Sequence, residues 1–241
     1  VVERLVPGWP APPNVQALCT TRSGGCSEGS YAGLNLAAHV GDSPVAVAAN
    51  RQQLRRLLPA MPLWLNQVHG ARCVPADAAW NGVRADASVA HTAGVVCAVL
   101  TADCLPLLLC DDQGTAVAAV HAGWRGMVAG VIEAAIHEMD IPGERLLAWL
   151  GPAIGPEAYE VGRDVREAFL ADDQNAASAF RPRGEKWLCD LYALARRRLA
   201  AVGVEQVFGG GLCTFRDAGR FYSFRRDGAT GRIASVIWLT H

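Results

Sequence analysis

The chain has 241 residues, of which 51% are hydrophobic and 19% charged, enough apolar content for a sizeable core and too much for a disordered polypeptide. Its net charge of −1 gives no overall field toward nucleic acid or anionic membrane, and no apolar run is long enough to span a bilayer. These bounds argue against nucleic-acid and membrane partners; small-molecule partners and a monomer or weak homo-oligomer are expected. The early charges and prolines of VVERLVPGWPAPPNV do not resemble a secretory signal. The eight cysteines show no C-x-x-C pattern and lie mostly in apolar strings, as small hydrophobes of a reducing compartment do, so the cytoplasm is expected.

Residues 14–41 read as glycine-rich loops. SPVAVAANRQQLRRLL then predicts a helix, with Ser43 as its cap and Pro44 at its first position. LWLNQVHG reads as a short strand that runs out at Gly70. GVVCAVLTADC, LPLLLCDD and TAVAAVHAGW are short, rich in Val and Leu, and bounded by turn residues, the pattern of strands buried on both faces. GMVAGVIEAAIHEM predicts a helix from apolar residues at 128, 131, 132, 135 and 136. RLLAWLG predicts another buried strand, GRDVREAFLADD and KWLCDLYALARRRLAAVG predict helices, and QVFGGGL, RFYSFRR and ASVIWL predict late strands. Together these give one α+β domain over 1–241, with mixed β-sheets covered by helices.

DDQG, residues 111–114, joins two of the buried strands as a hairpin. A two-residue turn at Asp112 and Gln113 places Cys104 directly opposite His121, with Pro106 at a position that needs no N–H. A four-residue loop keeps Cys104 and His121 on one face, whereas a three-residue loop with a bulge separates them. A thiol beside an imidazole is either a nucleophile with its base or part of a metal site, and across a strand pair it is often simple core packing. His69 closes its own segment with a glycine behind it, as His121 does. His69, Cys104 and His121 from three strand ends form a zinc site with one position open. Their spacings of 35 and 17 residues match no short zinc-finger pattern.

TTRSGGCSEGSYAGLNLAAHVGD, NQVHG, TADCLPLLL, VHAGWRG, GPAIGPEAYEVG and SFRRDGATGRIASVIWL resemble the laccase-domain (YfiH-like) family, once described as polyphenol or multicopper oxidases. The likeness covers nearly the whole chain. It implies a four-layer α/β/β/α sandwich and a zinc site of two histidines and one cysteine, here His69, Cys104 and His121. It also implies phosphorolysis of adenosine, inosine and methylthioadenosine, with accompanying adenosine deamination. One departure is CTFRDAGRF, which has only Cys213 where many members carry a second cysteine.

Phosphorolysis needs a grip on phosphate, and two arginines are candidates. Arg22 lies in a loop with Gly24 and Gly25, and Arg125 lies in GWRG at the start of a helix. A salt bridge at the helix start is an equal reading for Arg125. A metal with an open position generates hydroxide near neutral pH, which accounts for deamination, although no H-x-E motif supplies the usual proton shuttle. Asp103, beside Cys104, is assigned a structural or supporting role because adjacent strand residues face opposite ways. The loops of GPAIGPEAYEVG and the first glycine-rich segment are expected to hold the base.

A multicopper oxidase needs a two-His, one-Cys copper site and a trinuclear cluster held by further histidines, which six histidines do not provide. Copper still binds a His-Cys-His set more tightly than zinc does, so phenol oxidation by a misloaded site is a side reading. A Cys104–His121 hydrolase acting on amide or peptidoglycan-precursor bonds is the second enzymatic reading, and a non-catalytic binding protein the third.

Overall fold

The computed structural model describes residues 2–241. In chain order its elements are β1 (Arg4–Leu5), β2 (Val15–Thr20), α1 (Pro44–Arg55), β3 (Cys73–Pro75), β4 (Ala87–Ala90), β5 (Val96–Thr101), β6 (Leu105–Asp111) and β7 (Val117–Ala122). There follow α2 (Trp124–Val128), α3 (Val131–Met139), β8 (Leu146–Leu150), β9 (Glu160–Val161), α4 (Arg163–Leu170), β10 (Phe180–Arg183) and β11 (Lys186–Cys189). The chain ends with α5 (Leu191–Ala201), β12 (Gln206–Gly209), α6 (Phe224–Asp227) and β13 (Ile233–Leu239). No helix is long and apolar enough to cross a membrane.

Strands buried on both faces must satisfy two different neighbours, and the period-2 alternation shows which. In β5, Val96, Ala98 and Leu100 pack toward α1 with Leu54 and Trp64, while Cys97 and Val99 face the other way. In β6, Leu105, Leu107 and Leu109 pack against α3 and α5, while Leu108 and Cys110 meet Cys97, Val99 and Ile237. Two sheets therefore stack face to face with helices outside each, the α/β/β/α sandwich. One sheet is antiparallel, in the order β1-β2-β13-β5. The other is mixed, in the order β12-β8-β6-β7-β4-β3, with parallel pairs at its two edges. A small third sheet, β10-β11-β9, lies apart from these two. Each fully buried leucine of β6 contributes about 1.5–3 kcal/mol.

Several expectations are corrected. LWLNQVHG is not a strand: residues 63–70 make only isolated bridges, Leu63 to Cys97 and Asn66 to Arg84. The Gln67 side chain stands in for a strand there, donating to the Leu100 carbonyl and accepting from the Leu100 N–H at 2.8 Å each. The loop between β6 and β7 spans residues 112–116, and the two strands pair Pro106 with His121, not Cys104 with His121. Buried Asp111 explains this register, because its carboxylate accepts from the N–H groups of Gln113, Thr115 and Ala116 and holds the longer loop. Toward β7 Pro106 needs no N–H, since the His121 N–H donates to the Asp86 carbonyl on the β4 side. Toward β8 its carbonyl accepts from the Gly151 N–H, and Tyr192 Oη donates to the Gly151 carbonyl in place of the missing N–H. The helix expected over 126–139 breaks at Gly130, which has φ +87° and separates α2 from α3. Residues 186–189 form β11, and Asp190 then caps α5 by accepting from the Ala193 N–H. RFYSFRR is no strand: Phe221 and Tyr222 are buried and Ser223 caps the short α6.

Candidate metal centre and cavity

The turn 102–104 carries the chain from β5 in one sheet to β6 in the other, so Cys104 sits where the two sheets meet at one end. His121 comes to the same end as the penultimate residue of β7. His69 is presented by the coil 66–70, in a left-handed conformation at φ +58° that costs a non-glycine residue about 1–2 kcal/mol. The donor atoms of His69, Cys104 and His121 lie within 4.8 Å of one another. Among the described residues no other group of three His, Cys, Asp or Glu side chains is placed to share an ion.

Asp86, just before β4, explains how the two histidines are held. Its carboxylate is fully buried. Oδ1 accepts from His121 Nδ1 at 2.8 Å and from the His69 N–H at 2.9 Å. Oδ2 accepts from the N–H groups of Gly70 at 2.8 Å and Val68 at 3.1 Å. Three successive N–H groups around one anion form a nest, which compensates the strained His69 backbone. The bond to Nδ1 leaves His121 Nε2 for a metal, the usual arrangement around histidine ligands. Burial alone would raise the Asp86 pKa, but the His121 hydrogen bond, the nest and the His121 charge hold it below the usual range. Nothing in VRADASVA links this aspartate to a histidine 17 residues upstream, and sequence reading missed it.

Burial would likewise push the Cys104 thiol up, yet the charge of His121 and hydrogen bonds from both histidines lower it. His121 is raised against its own burial by Cys104 and Asp86. Both shifts favour a thiolate beside an imidazolium in the metal-free pair. Thiolate sulfur and imidazole nitrogen are the donors zinc prefers, and three of them leave one position open, so the residues fit the ion.

Gly123, directly after β7, gives the trio its room. A Cβ there would lie 2.9 Å from Cys104 Sγ and 3.3 Å from His69 Cδ2. Gly123→Ala is expected to displace both side chains and to lower zinc affinity by about 10-fold or more, with little change in metal-free stability. Competition against a chromophoric chelator reads the first, and thermal unfolding of the metal-free protein the second. An unchanged affinity would show that the trio does not bind as a unit.

The trio opens on a cavity of about 440 Å³, within the range of small-molecule sites. Arg125 lines it, stacked over Trp124 at 4.4 Å, and among the described residues it forms no salt bridge, so the helix-start ion pair is not present. The α2 helix behind it is only five residues long, so the guanidinium and not a helix dipole is what this segment offers an anion. Arg22 lies outside the cavity lining; its guanidinium donates to the carbonyls of Ala218 and Ala32 and stacks over Tyr222. Two arginines that sequence reading did not single out, Arg225 and Arg232, do line the cavity. Arg225 sits over Tyr159 at 5.1 Å, and its NH1 donates to the Glu160 carbonyl. Tyr159 from GPAIGPEAYEVG and His39 from the first glycine-rich segment also line the cavity, so both loops expected at the base pocket reach it. Asp103 has the structural role expected of it. Its carboxylate accepts from Thr214 Oγ1, Ser223 Oγ and the Arg225 N–H, tying the 214–225 segment to the site.

Residues 16–240 match the family described as multi-copper polyphenol oxidoreductase laccase. The chain belongs to this laccase-domain family. It is similar to a purine nucleoside phosphorylase of Pseudomonas aeruginosa, 54% identical over 237 residues and 98% of each chain. The YfiH purine nucleoside phosphorylase of Escherichia coli K12 is 53% identical over 238 residues, again 98% of each chain. The crystal structure of a Neisseria meningitidis protein shares the fold at a TM-score of 0.96, with 51% identity over 99% of each chain. Laccase-domain membership gives the cavity a context, but among the described residues one trio is placed to hold a metal ion, where a multicopper cluster would need several such groups.

Proposed function

We propose that the chain is a zinc-dependent purine nucleoside phosphorylase. It converts adenosine, inosine or methylthioadenosine and phosphate into free base and pentose-1-phosphate, and also deaminates adenosine. The observation that carries this reading is one cavity that combines the His69–Cys104–His121 trio, three arginines and the aromatic faces of Trp124, Tyr159 and Phe224. Relatives more than 50% identical carry the phosphorylase name. His69, Cys104 and His121 hold the ion and form the catalytic centre; Zn²⁺ suits the donor set, and Cu²⁺ would also bind it. When bound, the metal supplies a Lewis acid with an open coordination position. Arg125, which forms no salt bridge among the described residues, takes the phosphate oxygens as a planar fork. Arg22 contributes to phosphate binding from outside the cavity lining. The aromatic faces stack on the purine. Gln67 stays bound to β5 and fixes the wall behind His69.

Chromatography of adenosine and inosine incubated with the zinc-loaded chain, with and without phosphate, tests the proposal. Free base and ribose-1-phosphate appearing only with phosphate are expected. Nucleosides recovered unchanged from zinc-replete protein would sink the substrate class and move the cysteine hydrolase forward. That alternative is metal-independent and blocked by thiol alkylation, whereas the phosphorylase is stopped by chelators.

A further inference from the structure

Phosphorolysis moves one proton. A phosphate oxygen bonds to the anomeric carbon as the bond from that carbon to N9 breaks, and the bonding pair leaves with the purine. Hydrogen phosphate gives up its hydrogen, because the sugar phosphate formed is a dianionic ester, and the departing purine must gain one. A residue that serves both steps must accept a proton and then donate it near neutral pH.

The cavity contains few groups able to do this. The Asp103 carboxylate is committed to three hydrogen bonds. Burial, followed by the Cys104 charge, pushes the Tyr159 hydroxyl far above the physiological range. Arginines do not release protons in this range. His69, Cys104 and His121 are the metal donors. His39 remains. Its exposed ring lines the same cavity as the trio, and among the described residues no protein group hydrogen-bonds it. Its backbone is firmly placed: Tyr31 Oη donates to the Val40 carbonyl at 2.6 Å, and Asn35 Nδ2 donates to the Ala37 carbonyl and to Asp42. A fixed loop carrying a free imidazole is what a proton carrier needs.

From this placement we infer, on the phosphorylase reading above, that His39 is the catalytic proton shuttle, taking the hydrogen of hydrogen phosphate and delivering it to the departing purine. The groups that face it favour the neutral ring that must accept first. Partial desolvation, then the charges of Arg232 and Arg51, and of His121 while it holds no metal, keep its pKa below the ordinary histidine value. A phosphate dianion bound in the cavity offsets that repulsion, so the proton is accepted when the nucleophile is in place.

The test compares the zinc-reconstituted chain with His39→Gln on inosine and on 7-methylinosine, whose cationic base leaves neutral without a proton; the phosphate hydrogen then goes to water. His39→Gln is expected to lower kcat on inosine about 100-fold with the phosphate KM nearly unchanged, and to lower it far less on 7-methylinosine. The wild-type rate should fall on acidification through a pKa below about 6.5, and that limb should vanish in His39→Gln. Added imidazole should restore part of the activity of His39→Ala. Equal losses on both substrates, a loss confined to the phosphate KM, or no loss would overturn the shuttle while leaving the phosphorylase intact. If the wild type cleaves neither nucleoside in phosphate, the phosphorylase reading fails and the shuttle falls with it.

Discussion

Replacing Cys104 with alanine is expected to give a folded protein that binds zinc more than about 100-fold more weakly and no longer cleaves inosine in phosphate. Loss of a partner behind a metal ligand costs about 10–100-fold in affinity, and loss of a ligand itself costs more. Cys104 supplies the only charged donor of the trio, and two histidines held by Asp86 remain after its removal. The fold should survive, because Cys104 is half-buried in the turn between β5 and β6 and not in either apolar cluster beside it. Thermal unfolding gives a readout independent of activity. At zinc 100-fold above its Kd, binding adds about 2.7 kcal/mol to the wild type, a rise of roughly 5–10 °C for a chain of this size. Cys104→Ala should lose that rise at the same zinc concentration. A variant that keeps it would place the metal elsewhere. A wild type with no zinc-dependent rise, inactivated by alkylation but not by chelators, would favour the hydrolase.

The same residues show what the sequence could and could not reveal. Val/Leu runs announced β5, β6, β7, β8 and β13, because a strand buried on both faces needs no polar alternation. Ser43-Pro44 marked the start of α1 by local chemistry, and the Ser43 side chain does accept from the Ala46 N–H. His69, Cys104 and His121 stood out because metal-donor types ended apolar or extended segments. What escaped was nonlocal. The hairpin register depends on which backbone groups Asp111 accepts from, and DDQG fits two loop lengths equally. The coil 63–70 has a strand's composition, but beyond isolated bridges its bonds go to side chains, from Gln67 to Leu100 and from the N–H groups of 68–70 to Asp86. Asp86, Arg225 and Arg232 are ordinary charged residues in sequence; only the sheet stacking and the Asp103 tether bring them to the site. Arg22 illustrates the converse: glycines beside an arginine suggest an anion loop, but its guanidinium is occupied by backbone carbonyls and Tyr222.

Asp86→Asn should damage the protein in a way that Cys104→Ala does not, by weakening both the metal-free fold and the metal site. The carboxylate accepts four hydrogen bonds, two on each oxygen, and all the donors are N–H groups. An amide keeps one oxygen and turns a donor toward the other pair. If that donor faces Val68 and Gly70, the nest breaks and the left-handed turn at His69 loses its compensation. If it faces His121, Nδ1 is no longer held as a donor and Nε2 is not reserved for the metal. Two lost hydrogen bonds to a charged group, at about 1.5–3 kcal/mol each, predict a destabilisation of roughly 3 kcal/mol or more in metal-free protein. Zinc affinity should fall about 10–100-fold as well. The sign with pH follows from the lowered Asp86 pKa. Its contribution is fully present above the unfolded value of about 3.9 and fades as pH falls toward the folded one. The gap between wild type and variant in urea melts should therefore hold from pH 7 to about pH 4 and narrow below it. A variant as stable as wild type that also binds zinc normally would show that the two histidines are held together by something other than Asp86.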